Sequence, residues 1–141
     1  MKKGVFCVVT VFICLCILFS GCQDTSSVKT KQIPENVSLE STIVEFADAT
    51  FEKNTNESDG TQYVTVGWLF HNIADRMISA RIDVKFYDVN DILMYNNTKY
   101  INNIPADFTE RMLQESNKVS YRGKSAALVD HVVISVSEIT V

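Results

Sequence analysis

Cysteine is missing from most of this chain: Cys7, Cys14, Cys16 and Cys22 all fall in the first 22 of 141 residues. Beyond residue 22 a disulfide framework and a cysteine-ligated metal site are therefore excluded, and a core there must hold by packing alone. Histidine is scarce as well. His71 and His131 are the only two and lie far apart in sequence, without the compact His/Glu spacing of a metal motif. Basic charge is also in deficit. Lys2 and Lys3 are the only charged residues among the first 21, so the rest holds 11 basic against 17 acidic residues. That balance argues against a nucleic-acid partner, which calls for a basic face, and against holding an anionic membrane by charge alone. No Gly-x-Ser-x-Gly elbow and no glycine-rich phosphate loop occurs. The expectation is no enzyme, no catalytic residue and no cofactor.

What is present begins with Met1-Lys2-Lys3, followed by an uncharged run from Gly4 to Phe19 and then Ser20-Gly21-Cys22. A basic start, an apolar stretch and small residues before a cut describe an export signal. Ser20-Gly21-Cys22 resembles the lipobox of prokaryotic lipoproteins, although Phe19 stands where that pattern usually has Leu. The resemblance implies a signal peptide over residues 1–21, lipid attachment at Cys22 and a membrane partner reached through that lipid. The alternative is an uncleaved anchor, since Gly4 to Cys22 is 19 residues, long enough to span a bilayer. Both readings put the remainder on the extracytoplasmic side, because Lys2 and Lys3 favour an inside N-terminus.

Residues 22–36 are polar, with two isolated aliphatics and Pro34 near the end, the composition of a tether. Residues 37–141 carry strand patterns. The clearest is Ile78 to Asp88: Ile78, Ala80, Ile82, Val84 and Phe86 alternate with Ser79, Arg81, Asp83 and Lys85. One face is set for a core and the other for water, which predicts a strand at the centre of a sheet. A first strand region is expected over residues 37–51, with a bulge or bend near Thr42-Ile43 where the apolar parity switches. Asp59-Gly60 marks a turn before a second strand, Thr61 to Phe70, whose inner face is Val64, Val66, Trp68 and Phe70. Trp68, the single tryptophan, reads as a core anchor, and Gly67 as a bulge or close backbone approach. Asp88-Val89-Asn90-Asp91 reads as a hairpin turn, and Ile92 to Ile101 as a returning strand whose polar patch Asn96 to Lys99 marks an edge strand or a break. Further expectations are a short strand over Phe108–Gln114, an irregular strand and loop to Ala127 with a helical turn at Ser125–Leu128, and a last strand from Val129 to Val141. About seven strands without helices fit an all-β antiparallel sandwich of immunoglobulin-like type.

Two segments sharpen this. Val64-Thr65-Val66-Gly67, then Asn72, and Val84-Lys85-Phe86-Tyr87-Asp88 resemble the FxLYD-type domain of prokaryotic extracytoplasmic proteins. Val84 and Phe86 stand for that motif's Phe and Leu, Tyr87-Asp88 is kept, and Ile104-Pro105 with Phe108 fits its later part. The resemblance covers residues 37–141 and implies an immunoglobulin-like fold and an extracytoplasmic location. It implies no activity.

Individual candidates weigh little against ordinary structural roles. Asp88 to Asp91 begins like a calcium loop but lacks the third ligand, at Ile92, the glycine and the closing Glu. Tyr87, on the polar face, reads as a cross-strand packing contact, with surface binding as the other use. Asn36, Asn56 and Asn96 head glycosylation triplets, which matter only in a host that modifies exported proteins. The expected function is a lipid-anchored extracytoplasmic domain with a non-catalytic binding or envelope-structural role, acting through sheet edges or end loops. The alternative is an accessory or sensor subunit of an envelope transporter or enzyme, with an envelope protein as partner; a free-standing hydrolase is the reading of a third class.

Overall fold

A computed structural model describes residues 33–139. The signal segment, Cys22 and most of the tether lie outside the described residues. Within them are seven strands: β1 (Val37–Glu40), β2 (Val44–Thr55), β3 (Gln62–Asn72), β4 (Ile78–Tyr87), β5 (Leu93–Ile104), β6 (Lys118–Arg122) and β7 (His131–Glu138). Short 3-10 turns occupy Glu115–Asn117 and Lys124–Leu128. No helix among the described residues is long and apolar enough to cross a membrane.

The strands form two sheets, β1-β7-β4-β5 and β2-β3-β6. The fold is an all-β sandwich. Pairing is antiparallel apart from β1, which runs parallel to β7. Strand β4 sits inside its sheet between β7 and β5, and its alternation puts Ala80, Ile82, Val84 and Phe86 at 0 % exposure. Facing it from the smaller sheet are Val64, Val66, Trp68 and Phe70 of β3, all buried. The Phe70 ring stacks between Phe46 and Trp68, at centroid separations of 5.9 and 6.1 Å. The consecutive strands β3 and β4 lie in opposite sheets, as do β6 and β7, while β3 pairs with β6 and β4 with β7. That interlock locks the two layers together in the Greek-key manner.

Three local expectations need correction. The first strand region is two strands in different sheets. The chain crosses the sandwich at Ser41–Ile43, where the Ser41 hydroxyl accepts the amides of Ile43 and Val44 at 3.2 and 3.1 Å. That crossing is the bend expected near Thr42-Ile43, and a separate register shift occurs in β2 between Phe46 and Asp48. Residues 108–114 form no strand; only a bridge between His71 and Thr109 remains. This segment is instead strapped to the end of β3. The Phe70 amide donates to Glu110 Oε2 at 2.8 Å, Phe70 O accepts the Glu110 amide at 2.9 Å, and Asn117 Nδ2 donates to Glu110 Oε1 at 3.0 Å. The last strand is shorter than residues 129–141, running from His131 to Glu138.

The strap explains why Gly67 and Leu69 are buried although they point away from the sandwich core. A Cβ on Gly67 would lie 2.8 Å from Thr50 Oγ1 and 3.3 Å from Leu113 Cδ2, so the close approach read from the sequence is real. Asn72, 1 % exposed, ties the same end together. Its Nδ2 lies 3.1, 3.2 and 2.8 Å from the carbonyls of Arg76, Ile104 and Pro105, and its Oδ1 accepts the Ala74 amide at 2.9 Å. Buried amides persist only when so satisfied.

Candidate functional site

Past the strap, the outer face of the smaller sheet lies open. Antiparallel pairing sets Tyr63 opposite Arg122 and Thr65 opposite Ser120. Because Val119 faces the core, its neighbours Lys118 and Ser120 face outward, and Arg122 shares their parity. The result is a groove of about 690 Å³ floored by Tyr63, Thr65, Lys118, Ser120 and Arg122 and walled by Thr55, Asn56, Glu57, Asp59, Thr61 and Glu115.

The floor is organised. Thr65 Oγ1 and Ser120 Oγ share a hydrogen bond at 2.7 Å. The Arg122 guanidinium lies over the Tyr63 ring, 5.9 Å from its centroid, a cation–π geometry. Lys118 Nζ reaches Glu115 Oε1 at 3.2 Å. On the rim, the backbone amide of Thr61 donates to Asp59 Oδ1 at 2.8 Å, and this hydrogen bond, with help from the Thr61 hydroxyl, holds the Asp59 carboxyl below its ordinary value. Asp59 therefore keeps its charge to a lower pH than a free aspartate does. Two cations, one of them laid over the Tyr63 ring, three carboxylates and a hydroxyl pair make a surface suited to hydrogen-bonding a polar ligand.

Of the residues singled out in the sequence, Asn56 lies in the groove wall, Tyr87, His131 and Asp91 meet at the start of β7, and His71 stands apart. His71, at the end of β3, has Nδ1 2.6 Å from Thr109 Oγ1 and Nε2 3.5 Å from Asp107. His131, at the start of β7, stacks on Tyr87 at 5.3 Å with an 11° tilt. Its nitrogens lie 3.2 Å from Asp130 and 3.4 Å from Asp91. Tyr87 and His131 are register partners, so the tyrosine makes the expected cross-strand contact. Asp88 is consumed by its turn: Oδ1 accepts the amides of Asn90 and Ile92, both at 2.9 Å. The Ile92 hydrogen bond, followed by those from Asn90 and the charge of His131, lowers its pKa. Asp91 takes the left-handed conformation at φ 60°, the place usually given to glycine. No group of three or more His, Cys, Asp or Glu side chains among the described residues is arranged to hold a metal ion. Cys22, the expected lipid attachment point, lies outside the described residues.

The sequence pattern puts Tyr63 and Thr65, one side of the groove floor, on the outer face of a strand, opposite to Val64 and Val66. It missed Lys118, Ser120 and Arg122. Their signal was the alternation of these three with Val119 and Tyr121, a period-2 pattern only five residues long.

No family model matches this chain, and no curated protein does. Among solved structures, the crystal structure of Campylobacter jejuni cj0090 is similar at a TM-score of 0.40 and 11 % identity, covering 75 % of this chain and 100 % of that one. A likeness at that level adds nothing to the functional argument, which rests on the residues themselves.

Proposed function

We propose that this chain is a lipid-anchored, extracytoplasmic binding module of immunoglobulin-like, FxLYD-type architecture. In this reading the lipid sits on Cys22, residues 22–36 are the tether, and the groove on β3 and β6 takes a polar, hydroxyl-rich ligand such as an envelope glycan. One observation carries the binding role: Tyr63 under Arg122, beside the Thr65–Ser120 hydroxyl pair. Ligand hydroxyls matched by hydroxyl, carboxylate and guanidinium groups are the chemistry of glycan capture, with Tyr63 holding the Arg122 guanidinium in place. The small size of the sandwich and the openness of the groove suit weak, repeated contacts along a polymer.

The test is titration of the tethered domain with soluble peptidoglycan fragments by calorimetry or NMR. Binding that weakens about tenfold or more in Tyr63→Ala and Arg122→Ala, about 1.4 kcal/mol, supports the reading. Thermal stability should hold in both variants. Absence of binding, or binding indifferent to both substitutions, sinks it. Recovery of the domain in a stoichiometric complex with a membrane transporter would instead favour the accessory-subunit role. Mass spectrometry of the mature N-terminus checks the anchor. A diacylglyceryl mass on Cys22, lost in Cys22→Ser, is expected; an unmodified Met1 or a free thiol at residue 22 would refute it.

A further inference from the structure

Both ends of the sandwich expose apolar side chains, Ile73, Met77 and Phe108 around the β3–β4 connection and a second group at the other end, and only the second group lies where the chain enters from the tether. That second end gathers the β4–β5 turn, the 3-10 turn Lys124–Leu128 and the point where the chain enters β1. Hydrogen bonds tie the end of β4, the residues that follow the 3-10 turn and the entry to β1 together. The Val132 amide donates to Asn36 O at 2.9 Å, the Asp130 amide donates to Tyr87 O at 2.8 Å, and Asn36 Nδ2 donates to Asp130 O at 3.4 Å. This end carries exposed aliphatic side chains: Val89 at 76 %, Ile92 at 59 %, Leu93 at 50 % and Leu128 at 64 %. Turns ordinarily display polar residues at their tips. Here Val89 and Ile92 sit on a turn made rigid by Asp88, and both stay open to solvent.

The chain outside the described residues says what could cover them. Ten residues, Gln23 to Gln32, separate Cys22 from Ile33. Fully extended, ten residues reach about 35 Å at most. If Cys22 holds a lipid, the end where Ile33–Asn36 enters is therefore kept within a short tether of the bilayer. Resting on that anchoring reading, we infer that this end docks on the bilayer itself, with Val89 and Ile92 set into the headgroup boundary. The charge pattern narrows the surface further. Asp88 is turned back onto its own turn, Asp91 and Asp130 face His131, Glu35 stays exposed, and the exposed Lys124 of the 3-10 turn is outnumbered by these carboxylates. Such an end matches zwitterionic headgroups and is repelled by anionic ones. Docking fixes the orientation of the groove on β3 and β6, which would otherwise drift with the tether.

Every native cysteine lies at or before residue 22, so Val89→Cys places one thiol in the mature, lipidated chain. The lipidated full chain is reconstituted in phosphatidylcholine vesicles and labelled there with an environment-sensitive dye. Met77→Cys, on the connection into β4 at the opposite end, is the control. Docking predicts a blue shift at residue 89 and at least twofold stronger quenching by brominated acyl chains than at residue 77. Ile92→Asp should cancel the difference, and vesicles rich in phosphatidylglycerol should reduce it. Equal, weak quenching at both sites while the protein sediments with vesicles overturns the docking and leaves the anchor intact. A blue shift without bromine quenching assigns the end to a protein contact and also overturns it. Failure to sediment, or dye reacting with Cys22, overturns the anchor and the docking with it.

Discussion

Gly67 and Asn72 show how single residues fix the strapped end of β3. At Gly67 the obstacle to a side chain is Thr50, its register partner across the sheet. Thr50 is short and β-branched, so its hydroxyl cannot swing far from a new methyl 2.8 Å away. Gly67→Ala should cost about 1–3 kcal/mol by overpacking. Thr50→Ala in the same chain should recover part of that loss, because it removes the clashing oxygen; a double-mutant cycle by urea unfolding measures the recovery. Purely additive effects would show that the strain lies elsewhere. Asn72→Ala strands three carbonyl acceptors and one amide, those of Arg76, Ile104, Pro105 and Ala74. The expected loss is about 3 kcal/mol, seen as a lower urea midpoint with an unchanged slope.

At the scale of elements, the open side of the sandwich between β5 and β6 is closed by two devices. Tyr95 of β5 stacks on Tyr121 of β6 at 5.0 Å and 8°, with Phe86 behind both. Beside them Lys99 turns inward, and its ammonium donates to the carbonyls of Glu115, Ser116 and Lys118 at 3.1, 2.9 and 2.6 Å. An inward lysine also blunts an edge strand against pairing with another chain. Lys99→Met keeps the stem and loses the three charge-assisted bonds. It should cost about 2 kcal/mol and raise hydrogen exchange across Lys118–Arg122 more than across β4. Equal protection in variant and parent would mean that the aromatic stack alone holds the edge. These devices also explain what was legible in the sequence. Strand β4 announced itself because its two faces meet core and water throughout. Strand β5 was read as an edge strand or a break, but its inward positions Asn97 and Lys99 are polar, so nothing local told which face was inside. The strap over β3 and the crossing at Ser41–Ile43 depend on partners distant in sequence. For the same reason the groove was half legible: Tyr63 and Thr65 belong to a long periodic strand, whereas Lys118 to Arg122 needed β3 to be recognised as a strand at all.

For the whole molecule, acid is the informative stress. Three carboxyl groups, Asp59, Asp83 and Asp88, have pKa values lowered by the fold. At Asp83 partial burial pushes upward, but hydrogen bonds from Thr98 and Arg81, with the charges of Arg81 and Lys85, outweigh it. The Thr98 hydroxyl lies 2.5 Å and the Arg81 Nε 3.1 Å from Asp83 Oδ1, on the outer face of the larger sheet. Each of these groups takes up its proton less readily when folded than when unfolded. Between the depressed folded value and the ordinary aspartate value near 3.9, the unfolded chain therefore holds more protons. Their contribution is fully present above about pH 5 and drains away as pH falls through the folded values. With 17 acidic against 13 basic residues, the same protonation turns a mildly negative chain strongly positive and adds self-repulsion. Stability by urea unfolding should be flat from about pH 7 to 5 and drop steeply below about 4. Asp83→Asn should make that drop shallower while costing no more than about 1 kcal/mol at neutral pH, since its Arg81 partner is largely exposed. A profile flat to pH 3, or an acid limb unchanged in Asp83→Asn, would show that the turn and sheet-face carboxylates do not govern the acid response.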